Sequence, residues 1–150
     1  MERLRRLEQL HVENPVFFVT FCTEARHAIL ASHNIHEAFL EFCRRALERG
    51  VFVGRYVLMP DHIHLFVKVP PPSGQLSDWI RSLKNSLSKV LRGESIPAPH
   101  WQKGFFDHVI RSHESYDAKS VYVRENPVRA GLVRKAEEWP YAGELFNLTL

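Results

Sequence analysis

The tripeptide His62-Ile63-His64 contains the first pair of side chains in this sequence whose type and spacing could bind a metal ion. It begins an apolar-rich segment that predicts a β-strand over 62–69. Because alternate side chains of a strand share a face, the two imidazoles lie about 7 Å apart and can converge on one divalent ion. Strands that bind no metal also carry this spacing, so the pair requires a third ligand.

Tyr122 and Asn126 are four residues apart, so a helix over this segment places them one turn apart on one face. The amide oxygen of Asn126 is a hard ligand that suits Mg²⁺ or Mn²⁺ beside imidazoles. A tyrosine phenol is a poor nucleophile until a neighbouring group activates it. Tyr116 is about 120° away around the helix and is predicted to face the core. Tyr122 is also compatible with a packed surface aromatic, and Asn126 with an ordinary helix C-terminal residue.

The elements that position these residues follow the order strand, helix, strand, strand, helix, strand, helix. Asn34 is the predicted N-cap of the first helix, which Gly50 ends, and Ser112 is the predicted N-cap of the third, which Pro127 ends. The predicted strands cover 16–23, 51–59, 62–69 and 105–111, and the second helix covers roughly 76–92.

This order predicts an α+β fold, a ferredoxin-like βαββαβ antiparallel sheet with an additional C-terminal helix that carries the tyrosine. Both crossover helices of such a unit cover one face of the sheet. The apolar residues of the third strand belong on that face, so His62 and His64 are predicted on the opposite, open face. The apolar set comprises Ile63, Leu65, Val67 and Val69.

Composition indicates a globular protein that forms one domain over residues 1–150. The chain is 45% hydrophobic, which is sufficient to bury a core at this length. A formal net charge of +3 permits a nucleic-acid partner without requiring one. Cys22 and Cys43 are predicted to be buried thiols. The sequence shows no signal peptide or apolar run that would span a membrane, so a cytoplasmic protein is expected.

Three ordered segments resemble the motifs of the single-tyrosine HUH transposase superfamily. Residues 58–64 (LMPDHIH) resemble the HUH motif, which consists of histidine, a hydrophobic residue and histidine. Residues 101–111 (WQKGFFDHVIR) follow at the distance typical of the family, and residues 122–133 (YVRENPVRAGLV) resemble its tyrosine-helix signature. The last two segments are most similar to the REP-associated tyrosine transposase branch. The resemblance spans roughly residues 16–142.

The resemblance implies a metal-dependent endonuclease and strand transferase that acts on single-stranded DNA beside hairpins of palindromic repeats. It implies that His62, His64 and Asn126 bind Mg²⁺ or Mn²⁺. It also implies that Tyr122, and not Tyr116, is the nucleophile and forms a 5′-phosphotyrosine intermediate. Proteins similar to this one act as monomers or as homodimers that share active sites, and both states are compatible with the sequence.

Basic side chains near the predicted open face are candidates for DNA contacts. Lys84 resembles a lysine of the family's second helix, and Arg111 and Arg129 flank the tyrosine helix. His108, in the predicted fourth strand, is a candidate for the base that deprotonates Tyr122, beside bulk base and a metal-linked water, and is equally compatible with a structural role. Further basic candidates are Arg81, Arg92 and an N-terminal arm with Arg3, Arg5 and Arg6.

Three other functions are compatible with the same residues. A βαββαβ sheet can bind RNA by stacking, as RRM domains do, although here the central strand carries histidines in place of aromatic signatures. A protein of the same fold can bind DNA or RNA hairpins without cutting them. A plain metallohydrolase would use a metal-bound water and keep its activity when Tyr122 is replaced by Phe.

Overall fold

The computed structural model describes residues 15–70 and 75–148 and contains a five-stranded antiparallel sheet. Its strands are β1 (Val16–Cys22), β2 (Phe52–Leu58), β3 (His62–Lys68), β4 (Phe106–Ile110) and β5 (Ala142–Glu144). The helices are α1 (His33–Ala46), α2 (Gln75–Gly93), α3 (His113–Arg124) and α4 (Asn126–Arg129). Short 3-10 turns lie at Glu24–Arg26, Leu47–Arg49 and Ala136–Glu138. The strand order β4-β1-β3-β2-β5 contains the ferredoxin-like arrangement, so the predicted fold is confirmed.

The main core lies between the sheet and helices α1 and α2. Phe39 of α1 and Leu83 and Leu87 of α2 are fully buried there, because apolar residues at helical spacing give each helix one apolar stripe. Ile63 and Leu65 of β3 face the same core. The predicted division of β3 into a helix-covered face and a histidine face is therefore correct.

The prediction that the histidine face is open was wrong for much of that face. A second core forms there, in which Phe66 of β3 is fully buried beneath α3 and the C-terminal segment. Tyr116 packs on Phe66 with 4.7 Å between ring centroids, so its predicted place in the core is confirmed. The physical reason is that Tyr116 and Val123 give α3 an apolar stripe of its own, which must be buried against the sheet. The end of the face that carries His62 and His64 lies beyond this second core.

Side-chain caps explain where the longer helices begin. Ser32, and not the predicted Asn34, is the N-cap of α1, and its Oγ accepts a hydrogen bond of 3.2 Å from the backbone N–H of Ile35. Asn34 lies inside the first turn of α1. Ser32, two positions earlier, therefore accepts from the backbone N–H of Ile35, which has no partner within the helix. Ser112 is the N-cap of α3, as predicted. Gly50 closes the turn after α1 at φ +76°, a conformation that glycine adopts without strain.

The helix that carries the tyrosine ends earlier than predicted. α3 stops at Arg124, and Glu125, with φ −85° and ψ 0°, joins it to the short helix α4. Pro127 lies in the first turn of α4, where its missing N–H breaks no helical hydrogen bond. Asn126 therefore begins a second helix and does not end the first.

Strand β5 was not predicted, because three residues that include a glycine carry no recognisable alternation. It pairs with β2, and Arg55 donates to the carboxylate of Glu144 across the pair at 2.9 Å. A register shift between Val53 and Tyr56 marks a β-bulge in β2. The extra residue turns Val53 and Tyr56 toward the same core although they are three positions apart.

The structure also tests some predictions made from composition. Cys22 and Cys43 are buried free thiols, as expected. No helix within 15–70 or 75–148 is long and apolar enough to cross a membrane. The proposed arm with Arg3, Arg5 and Arg6 lies outside the described residues.

Gly54, in the bulge of β2, leaves no room for a larger side chain. A Cβ at this position would lie 2.9 Å from Leu148 Cδ1 and 3.1 Å from Tyr116 Oη. We expect Gly54→Ala to lower the free energy of unfolding by about 1–3 kcal/mol through overpacking, as measured by urea denaturation. Gly93→Ala is the control, because a Cβ there meets no atom within 4 Å. Equal losses in the two variants would contradict this explanation.

Candidate active site

His62 and His64 lie on the central strand β3, which pairs with β1 on one side and β2 on the other. Their ring centroids are only 4.7 Å apart, so the two rings lean toward each other from positions further apart along the strand. His64 is buried, and the His62 side chain is 14% exposed. The pair therefore lies on the most constrained part of the sheet and still reaches the surface.

Each imidazole is held through its Nδ1 atom. His62 Nδ1 lies 2.7 Å from Asp61 Oδ1, and Arg26 Nε donates to the other oxygen of Asp61 at 2.9 Å. His64 Nδ1 lies 2.7 Å from the hydroxyl of Thr20, which is its direct neighbour on β1. When Nδ1 carries the proton in these contacts, the lone pair of each Nε2 is free to bind a metal ion.

Asn126 completes a donor set that fits a small divalent ion. Its Oδ1 lies 3.3 Å from His62 Nε2. Neighbouring ligands of an octahedral Mg²⁺ ion are about 3 Å apart, given metal–oxygen distances near 2.1 Å. Within the described ranges no three His, Cys, Asp or Glu side chains cluster around a possible metal position. The amide oxygen is thus what turns the histidine pair into a three-donor set.

Tyr122 lies beside these donors, with its ring centroid 6.3 Å from that of His64. The residue is 49% exposed, so a polynucleotide can reach the phenol. The Arg129 guanidinium carbon lies 3.9 Å from the Tyr122 ring centroid, and Arg129 also donates to the Tyr122 carbonyl at 2.6 Å. Lys119 Nζ lies 5.9 Å from the same ring. The candidate nucleophile therefore lies close to two cations and a histidine pair.

The environment of His64 keeps this imidazole neutral. Burial is the main cause that lowers its pKa, and the positive charges of His62, Arg129, Lys119 and Arg26 add to the effect, giving a pKa of about 3. A neutral imidazole is the form that binds a metal ion. His64 is consequently ready to act as a ligand at any pH near neutrality.

Arg26 and Asp61 form an ion pair that supports His62. Partial burial works to raise the pKa of the Asp61 carboxyl, but hydrogen bonds from His62 and Arg26 outweigh it and leave the pKa lowered. Ala25 and Arg26 have φ values of 51° and 55°, in the left-handed region that residues other than glycine seldom adopt. This backbone turn brings the Arg26 guanidinium to Asp61 and to the sulfur of Cys22, which it contacts at 3.0 Å.

Lys84 and Arg81 of α2 are not brought to this site. Lys84 Nζ donates to the carbonyls of Gln102 at 3.2 Å and Gly104 at 2.6 Å, and burial lowers the pKa of its ammonium. It therefore anchors the segment before β4. Arg81 is exposed and pairs with Asp78 at 3.3 Å on the helical layer across the sheet. Their assignment to DNA binding stays a prediction.

The remaining predicted residues lie around β4. His108 pairs with Phe18 of β1, so it shares the face of His64 but lies two strands away, on the edge strand β4. Its side chain is exposed. Arg111 follows β4 and is exposed, as is Arg92 at the end of α2. Among the basic candidates in the described residues, the structure places Arg129 at the site.

Several residues at the site were missed by sequence reasoning. Thr20 and Arg26 come close to the histidines only through the pairing of β1 with β3 and through an irregular turn, neither of which leaves a sequence pattern. Asp61 precedes His62 and could have been proposed as its partner. Lys119 lies three residues before Tyr122, so the helical-face argument that selected Asn126 applies to it as well.

Comparison with known proteins shows the family of this chain. A family model described as IS200-like transposase matches residues 12–126, a range that includes His62, His64, Tyr122 and Asn126. The chain belongs to this family. The fold and the family expected from the three sequence motifs are thus confirmed.

Two curated relatives are REP-associated proteins. The chain is 26% identical over 95 residues to the REP-associated tyrosine transposase of Escherichia coli K12, covering 63% of this chain and 55% of the relative. It is 28% identical over 95 residues to a Haemophilus influenzae protein named as a candidate member of that group, covering 57% and 54%. The chain therefore spans about half the length of the curated relatives that it matches.

Two solved structures share the fold. One, described as a REP-associated tyrosine transposase bound to a REP hairpin, superposes with a TM-score of 0.73 at 22% identity, over 87% of this chain and 76% of that one. The other, a candidate transposase from Deinococcus radiodurans, has a TM-score of 0.53 at 16% identity, over 73% and 88%. At 22% and 16% sequence identity, these structural similarities establish the fold that this chain shares with the two proteins.

The lowered pKa of His64 predicts a loss of stability in acid. Between pH 6.5 and about 3 the unfolded chain protonates this imidazole and the folded chain does not, so the free energy of unfolding falls as the pH decreases through this window. For metal-free protein we expect His64 to account for about 1–2 kcal/mol of the difference between pH 7 and pH 5. Urea denaturation of the wild type and His64→Gln at both pH values measures this share.

His36 serves as the internal reference for this experiment. Burial also lowers the pKa of His36, so it contributes to acid destabilisation in both proteins. The pH dependence should therefore decrease in His64→Gln without disappearing. An unchanged dependence would show that folding does not keep His64 neutral.

Proposed function

We propose that this protein is a metal-dependent single-stranded DNA endonuclease and strand transferase whose nucleophile is Tyr122. The observation that carries the proposal is the placement of the Tyr122 ring 6.3 Å from His64, beside the contact of 3.3 Å between His62 Nε2 and Asn126 Oδ1. A phenol next to metal-ligand donors is what an attack on a phosphodiester requires. Membership of the IS200-like transposase family supports the same class of reaction.

In the proposed reaction Tyr122 Oη bonds to the scissile phosphorus while the bond from phosphorus to the 3′ oxygen breaks. The phenol loses its proton and the departing 3′ oxygen gains one, so the products are a 5′-phosphotyrosine and a free 3′-hydroxyl. The phosphodiester is exchanged and not hydrolysed, which lets another 3′-hydroxyl reverse the step and join new strands without ATP.

The residues around Tyr122 have separate roles in this step. Arg129 stacks on the ring and binds the Tyr122 carbonyl, which holds the phenol in place before DNA arrives. His62, His64 and Asn126 would hold Mg²⁺ or Mn²⁺, and the Lewis-acid stabilisation of the phosphate charge would come from that ion. Asp61 and Thr20 orient the two imidazoles.

DNA with a hairpin formed by a palindromic repeat is the proposed partner. The solved structure with a hairpin bound supports this choice through its shared fold. Phe106, on β4, is 71% exposed and lies in register with Thr20, which in turn pairs with His64. Its ring is a suitable surface on which an unpaired base can stack beside the scissile phosphate. Arg111 is exposed beyond the other end of β4 and can contact the backbone.

Covalent capture of DNA tests the nucleophile. Hairpin DNA with single-stranded flanks, taken from the palindrome nearest the gene, is incubated with Mn²⁺ or Mg²⁺ and analysed on denaturing gels. We expect a protein–DNA adduct with the wild type that is absent in Tyr122→Phe and when EDTA is added, because both the phenol and the bound ion are required. Tyr116→Phe is the matched control, since that ring is buried in the second core, and it should retain the adduct.

Other results of this experiment would point to different functions. Cleavage without an adduct would indicate a metal-bound water as the nucleophile. DNA that is retarded in a native gel but never cut would indicate a hairpin-binding protein, and the catalytic proposal would be withdrawn.

We also propose that the active site is completed within one chain, because Tyr122 lies against the His64 of its own chain. A mixture of Tyr122→Phe and His64→Ala should then form no adduct, since neither protein contains both the nucleophile and the donor set. The mixture is compared with each variant alone and with wild type diluted to the same concentration. Recovery of adduct in the mixture would show that two copies share their sites.

A further inference from the structure

Lys119 lies beside the candidate nucleophile Tyr122. It lies on α3 three residues before Tyr122, on the same side of the helix. Its Nζ is 5.1 Å from the Phe18 ring centroid and 5.9 Å from that of Tyr122. Phe18 in turn stacks on the His64 ring at 5.4 Å. The ammonium is thus placed over aromatic rings that border both the nucleophile and a metal-ligand candidate.

The ammonium of Lys119 has no anionic partner in the described part of the chain. Arg26 pairs with Asp61 and Arg124 pairs with Glu137, while the Arg129 guanidinium donates to the carbonyl of Tyr122. Contact with ring faces gives a lysine modest attraction but leaves its three N–H donors without acceptors. A lysine held in this way is ready to bind an anion.

Charge around Tyr122 indicates what that anion is. Arg129 and Lys119 both lie over the Tyr122 ring, and Asp61, the carboxylate beside His62, is already engaged by Arg26 and His62. The site therefore carries an excess of positive charge before DNA binds. A phosphodiester brings one negative charge and two non-bridging oxygens, and a divalent ion held by His62, His64 and Asn126 would leave room for a second cation to stabilise the charge that develops in the transition state.

We propose that Lys119 binds a non-bridging oxygen of the phosphate that Tyr122 attacks, and that it stabilises the charge which develops there. This inference rests on the proposed function. It adds a catalytic residue that contacts the reacting group, in a position distinct from the metal ligands and from Arg129, which holds the tyrosine.

Single-turnover kinetics of adduct formation test the role of Lys119. With saturating hairpin DNA we expect Lys119→Met to slow the adduct step by about 10²-fold, as loss of an oxyanion donor does in other enzymes. Lys119→Arg should recover a large part of the rate because it restores the positive charge. Lys89→Met is the matched control, since Lys89 is an exposed lysine of α2 on the other side of the sheet. Equal thermal denaturation midpoints check that the variants are folded.

A binding experiment separates contact with the scissile phosphate from general attraction. Once the cleavage position is mapped with wild type, that phosphate is replaced by an uncharged methylphosphonate, and affinities are measured in a Tyr122→Phe background. Lys119→Met should weaken binding of natural DNA several-fold and leave binding of the methylphosphonate DNA unchanged. Equal weakening on both DNAs would place the lysine at another phosphate and overturn the proposal.

The two proposals fail in different ways. An adduct that forms at the wild-type rate in Lys119→Met would overturn the role of Lys119 and leave the nuclease intact. Absence of any adduct with wild type, under conditions in which hairpin DNA binds, would remove the proposed function and this inference together.

Discussion

The antiparallel pairing of β1 with β3 is the interaction on which the candidate site depends. Its register places Thr20 opposite His64, where the Thr20 hydroxyl meets His64 Nδ1, and places Cys22 opposite His62, where its sulfur contacts Arg26, the ion-pair partner of Asp61. A shift of one residue would turn every side chain of β3 to the other face, moving the histidines into the main core. Burial of Ile63 and Leu65 beneath α2 therefore fixes the position of the metal-ligand candidates.

The sheet is packed on both faces, and this arrangement brings the tyrosine to the histidines. The larger core with α1 and α2 stabilises the ferredoxin-like unit. The smaller core around Phe66 and Tyr116 fixes the position of α3 on the sheet. Tyr116 and Tyr122 thus have complementary places on one helix, since the first packs the helix onto the sheet while the second projects beside the candidate metal ligands. The site exists because a structural contact and a reactive group share a rigid element.

Residue spacing within single strands and helices allowed much of this arrangement to be predicted from the sequence. Alternation along β3 predicted the face of His62 and His64, and helical spacing separated Tyr122 from Tyr116. The sequence motifs predicted the family. What could not be predicted depends on contacts between distant segments, such as the bond from Thr20 to His64 and the turn that brings Arg26 to Asp61. The covered histidine face was missed for the same reason, because β5 is too short to be recognised and the segment that follows it helps to form the second core.

The hydrogen bonds to the Nδ1 atoms of His62 and His64 would also affect how the site takes up a metal ion. Both rings are already oriented by Asp61 and Thr20, so the ordering of these ligands is completed when the chain folds. An arriving ion would then meet donors that need little rearrangement, and the slow event would be the removal of water from the ion itself. Mg²⁺ gives up water reluctantly. In a preorganised site of this kind the rate of metal uptake would be set by the dehydration of the cation, and the protein would act on affinity through the rate of release.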